Sequence, residues 1–116
     1  MTPIASLIDR LERLTGPVSR TEARGFELGL PHHLYGHAEL LGGALEGGVR
    51  ALGCAKQFVE AVLPGKGVTL VWGYDDAPNA MACAYVDIGG EIISHPILSI
   101  ALVLAALKSM EARGEG

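Results

Sequence analysis

The sequence predicts an α+β fold in which a small antiparallel sheet of two or three strands is packed by helices. Three observations carry this. Apolar residues recur at helical spacing between Ile4 and Leu14, the period changes to alternation from Val68 to Tyr74, and a nearly unbroken apolar run follows between Pro96 and Leu107. At 116 residues the chain is long enough for one core and short for two, so a single domain over 1–116 is expected.

The first helix has clear signals. Thr2 can cap it and Pro3 fits its first turn, where a missing N–H costs nothing. Ile4, Leu7, Ile8, Leu11 and Leu14 make one apolar stripe, Asp9 and Arg13 stand at i,i+4, and Thr15-Gly16-Pro17 stops the run. Ser19-Arg20-Thr21-Glu22 has the capping-box pattern and predicts a short second helix to about Leu28, with Ala23, Phe26 and Leu30 turned inwards.

The segment 29–48 reads as glycine-rich and irregular. Leu30 to Gly36 looks like a loop. His37 to Glu46 can be helical, although Gly42 and Gly43 inside it and Gly47 and Gly48 beyond it each disfavour helix by about 1 kcal/mol relative to Ala. Either these glycines let helices approach closely or they break the segment, and a break near Gly47-Gly48 is favoured. Helical spacing returns from Val49 to Leu63, ended by Pro64-Gly65.

Val68, Leu70, Trp72 and Tyr74 then alternate with Thr69, Val71 and Gly73, and Met81 to Ile88 reads as a second strand after the turn residues Asp75 to Asn79. These two strands should form an antiparallel hairpin, with Glu91-Ile92-Ile93 as a third strand. Ser94 or His95 can cap the last helix, with Pro96 in its first turn. That helix is apolar nearly all round, broken only by Ser99 up to Leu107, so it belongs at the centre of a core or between the sheet and a neighbour.

Composition narrows the function classes. Charged residues are 19% against 49% hydrophobic, which argues for a folded chain with apolar surface left for a subunit interface or a partner, and a homo-oligomer is expected. The net charge of −4 and the scattered arginines and lysines disfavour nucleic acid. No apolar run is long enough to span a bilayer, and Met1-Thr2-Pro3-Ile4 does not open a signal peptide. Cys54 and Cys83 sit in apolar surroundings without a CxxC spacing and read as buried free thiols, which fits a reducing cytoplasm.

No enzyme site assembles from these residues, and no cofactor is implied. His32, His33, His37 and His95 are the best metal candidates, but Pro31 and Gly36 interrupt the helix that would align His33 with His37, and neither HExxH nor CxxC is present, so no metal is expected. Asp75-Asp76 serve a turn better than acid–base chemistry, and Pro64-Gly65-Lys66-Gly67 lacks the phosphate-loop pattern. Binding therefore carries more weight. Tyr35, with His32 and His33, is the expected exposed anchor. Trp72 and Tyr74 share a strand face and Tyr85 lies on the partner strand; the three form either a second hot spot or core under a helix.

The ends of the chain resemble a known family. Ile4-Ala5-Ser6-Leu7-Ile8-Asp9-Arg10-Leu11-Glu12-Arg13-Leu14-Thr15-Gly16-Pro17, and the strands followed by His95-Pro96 and a helix containing Ala105-Ala106-Leu107-Lys108, resemble small prophage-encoded proteins of the phage ABA-sandwich type. The resemblance covers the two ends only, and 25–53 departs from it. It implies a small antiparallel sheet held between helices and a phage or prophage origin, and it transfers no site residue. The expected function is a non-enzymatic protein binding a host protein in the host cytoplasm, with inhibition of bacterial immunity as one form of that action. The alternatives are a self-assembling structural or accessory phage protein and a small-ligand binder.

Overall fold

Five α-helices and one 3₁₀ helix dominate the computed structural model, which describes residues 2–65, 67–74, 82–88, 91–95 and 97–113. Side chains of 70–74, 82–88, 91, 92 and 94 lie outside the described part. Helix α1 spans Pro3–Glu12; the Ala5 N–H donates to Thr2 Oγ1 at 3.1 Å, and Ile4, Leu7, Ile8 and Leu11 are buried. Helix α2 spans Arg20–Glu27, where the Glu22 N–H donates to Ser19 Oγ at 3.2 Å, so the capping signal acts as its spacing implies.

The stretch 30–36 is more regular than a loop. His32–His37 forms a 3₁₀ helix, opened by the Leu34 N–H donating to the Pro31 carbonyl at 2.9 Å. It runs directly into α3, Ala38–Glu46. Both readings of the glycines hold, at different positions. Gly47 and Gly48 each have φ of 78°, and they end α3 where an L side chain would be strained. Gly42 and Gly43 instead lie inside the helix where neighbours press close. Helix α4 follows as Ala51–Val62, burying Ala51, Cys54, Ala55, Phe58 and Val59.

Strand β1 (Val68–Tyr74) pairs antiparallel with β2 (Ala82–Ile88), and β2 with β3 (Glu91–His95), in the order β1-β2-β3. Helix α5, Leu98–Ala112, is buried at Ser99 to Leu107 and again at Ser109 and Met110, and α1, α3, α4, β2 and β3 all pack against it. Its start is capped differently from expectation. Ile97 stands at the N-cap with no side-chain bond of its own, while His95, the last residue of β3, accepts the Ile97 N–H on Nδ1 at 3.0 Å.

This architecture corrects the expected fold class. The α+β reading, a small sheet packed by helices, gives way to a predominantly helical protein. Among the described side chains the apolar core draws on all five helices, and from the strands Ile93 joins it. The physical reason lies in α5. A helix apolar around its whole circumference needs cover on every side, and a short three-stranded ribbon reaches only one. Helices α1, α3 and α4 supply the rest. The alternation at Val68 to Tyr74 signals strand locally, but it says nothing of how much of the core that strand builds.

Candidate docking surface

The expected anchors His32, His33 and Tyr35 fall on the 3₁₀ helix. A 3₁₀ turn places residues three apart on one side, and His32 and Tyr35 accordingly stack with ring centroids 4.7 Å apart, tilted by 40°. Both are exposed, as is His33, while Leu34 between them is buried and pins the turn to the core. Tyr35 is 42% exposed, with the His32 ring against its own.

Tyr35 also borders a hollow of about 230 Å³ with Arg24, Glu27, Leu28, Ala38 and Glu39. Leu28 is the residue that inspection of the sequence missed. It directly follows the last residue of α2, outside the inward set Ala23, Phe26 and Leu30, and is 65% exposed. The helical period could have identified it, because 28 falls off the stripe that buries 23, 26 and 30. Leu28 and Tyr35 thus present an aliphatic and an aromatic group around one hollow, rimmed by a cation and two carboxylates. An apolar centre with a polar rim is the anatomy of a protein-binding patch.

The rim carries structure too. Glu27 lies beside Gly42, where an added Cβ would meet its carboxyl carbon at 2.9 Å. Glycine at 42 therefore lets α2 and α3 approach and keeps Glu27 at the edge of the hollow. On the solvent side, the exposed Arg10 lies over the Phe26 ring at 4.5 Å and ties α1 to α2.

Of the other expected anchors, Trp72, Tyr74 and Tyr85 have side chains outside the described part. Their backbone register is defined: Trp72 stands opposite Ala84, Tyr74 opposite Ala82, and Tyr85 opposite Val71. Because positions alternate along a pleat, 72 and 74 fall on one face and 85 on the other. Ala84 in turn pairs with His95, which is buried, so positions 72 and 74 belong to the face turned towards α5.

Histidine chemistry divides in the same way. Among the described residues no three His, Cys, Asp or Glu side chains converge to hold a metal. His95 is only 4% exposed, and its Nδ1 accepts from Ile97, so the neutral ring carries its proton on Nε2. That Nε2 has no hydrogen-bond partner among the described residues. Burial pushes the His95 pKa below its ordinary value; the Leu14 backbone, outside hydrogen-bonding geometry, and the Glu12 carboxylate oppose this more weakly. Cys54 is a buried free thiol, and Cys83 lies outside the described side chains. No helix among the described residues is long and apolar enough to cross a membrane.

A second concavity was not foreseen. A cleft of about 420 Å³ opens between α4, the start of β1 and α5, lined largely by Leu52, Val59, Leu63, Val68 and Leu102. Compared with protein-family models, with curated proteins and with solved structures, the chain matches none of them.

Proposed function

We propose that this chain is a non-enzymatic binding protein of phage or prophage origin that docks on a host protein through the Leu28–Tyr35 surface. The observation that carries the reading is the pairing of those two exposed apolar side chains around one hollow, with Arg24, Glu27 and Glu39 at its rim. Tyrosine in such a setting supplies contact area at low entropic cost, and the surrounding charges exclude wrong partners. The phage origin rests on the resemblance of the chain's two ends to prophage-encoded proteins, and inhibition of a host immune component is the action that origin favours. The place of action is the host cytoplasm, in keeping with the free thiol at Cys54. Affinity capture from the bacterial host with the wild-type chain, and with Leu28→Asp and Tyr35→Ala side by side, tests the proposal. One protein should be retained by the wild type and lost from both variants. Equal retention by all three would remove this surface from the function.

A further inference from the structure

Strand β1 is an edge. Among the described residues β2 is the one strand hydrogen-bonded to it, and no strand pairs with its other side. Natural edges are blunted with lysine, proline or inward-pointing charges. Val68-Thr69-Leu70-Val71-Trp72-Gly73-Tyr74 has none of these. The other edge strand differs, because β3 begins with Glu91.

The apolar cleft opens at the start of the same strand. Val68, 37% exposed, stands at its mouth, and Leu52 is 45% exposed on the neighbouring α4. One turn earlier Val49 is fully exposed. The cleft's two charged residues, Lys56 and Glu60, pair with each other at 3.6 Å. The site therefore shows a partner no net charge, and an uncharged strand matches it where a charged peptide would gain nothing. The chain itself contains such a strand in β1.

We infer that two copies of this chain associate through their β1 edges, antiparallel across a two-fold axis at Val71, with the cleft closed by the second copy. This goes beyond the proposed host docking and does not depend on it, because Leu28 and Tyr35 belong to other elements. The register that pairs all of β1 sets Val71 opposite Val71 of the second copy and Val68 opposite its Tyr74. Each copy's Tyr74 thereby arrives at the mouth of the other's cleft. Such a contact is isologous and closes on itself, so it protects the edge without propagating into a fibre.

Val71 is the position to test. Leu70 pairs through Val86 with buried Ile93, so position 71 lies on the opposite face and a charge there stays clear of the helical core. The measurement is the solution mass of the full chain across a dilution series, for wild type, Val71→Lys and Val71→Glu, each checked for helical content by circular dichroism. Wild type should be a dimer of the 12.1 kDa chain. Each charged variant alone should associate roughly tenfold more weakly or worse, because like charges then face each other across the axis. An equimolar mixture of the two should recover the dimer. In addition, Val71→Cys should form a disulfide between the two copies at that position under mild oxidation, since facing strand positions lie within disulfide reach. A monomeric wild type, charged variants that dimerise as tightly as wild type, a mixture that stays monomeric, or a Val71→Cys chain with no 71–71 linkage would each overturn the inference.

Discussion

The Ser99 hydroxyl donates to the Ala44 carbonyl at 2.9 Å, joining α5 to the end of α3 inside the core. Ala44 is among the last four residues of α3, whose carbonyls have run out of intrahelical donors. The next one is met from another direction: the Val18 N–H donates to the Leu45 carbonyl at 2.9 Å. The single polar interruption of the apolar run before Leu107 thus completes a buried helix terminus.

Removing that hydroxyl leaves the Ala44 carbonyl buried without this donor. Ser99→Ala should destabilise the protein by about 1–3 kcal/mol, a cost set by desolvation of the orphaned acceptor. Urea unfolding checks this. The midpoint should fall with an unchanged slope, since neither the folded surface nor the unfolded chain is altered.

Gly43 and Cys54 define how closely α3 and α4 approach. A Cβ at 43 would lie 2.6 Å from Cys54 Sγ and 3.2 Å from its Cβ, closer than side chains come without movement. Gly43→Ala gains about 1 kcal/mol of helix propensity but should lose about 1–3 kcal/mol to overpacking, for a net destabilisation. In a Cys54→Ala background the sulfur is gone, and the same substitution should cost distinctly less. A double-mutant cycle on thermal unfolding reads that coupling, and strict additivity would contradict the close contact.

His95 gives the fold a pH dependence of known sign. Its folded pKa lies below the ordinary value of 6.5, chiefly because burial disfavours the charged ring. The unfolded chain therefore binds the proton more tightly. The neutral ring's contribution is fully present above about pH 6.5 and is lost as pH falls below that value and through the lowered folded pKa. His95→Asn can keep an acceptor for the Ile97 N–H while removing the titration. Between about pH 8 and about pH 5 the wild-type unfolding midpoint should drop more than that of the variant. Parallel profiles would assign the pH dependence to other groups.

The helices were the most legible part of the fold, because caps and apolar stripes are local. Thr2, Ser19 and the stripe from Ile4 to Leu11 announce their roles within a few residues. The balance of the fold was not legible in the same way. Alternation from Val68 to Tyr74 marks a strand, but only the assembled chain reveals that α1, α3 and α4 pack around α5 and that, among the described side chains, helices supply most of the core. The 3₁₀ helix at His32–His37 was hidden because Pro31 and Gly36 suggest a loop while i,i+3 bonding tolerates both. Tyr35 was foreseen as exposed from its polar neighbourhood. Leu28 was not, although it falls off the inward stripe of Ala23, Phe26 and Leu30, because nothing local marks a leucine at a helix end as a contact.

The central claim, that Leu28 and Tyr35 form a surface for a protein partner, is most directly tested by site-specific photocrosslinking in the host cell. A photoreactive phenylalanine analogue replaces Tyr35, and the same analogue placed at Glu60, an exposed position of α4 away from this hollow, serves as the control. One discrete adduct is expected from position 35, identified by mass spectrometry as a single host protein, absent from position 60 and abolished by adding Leu28→Asp. No adduct from position 35, or the same adduct from both positions, would contradict it.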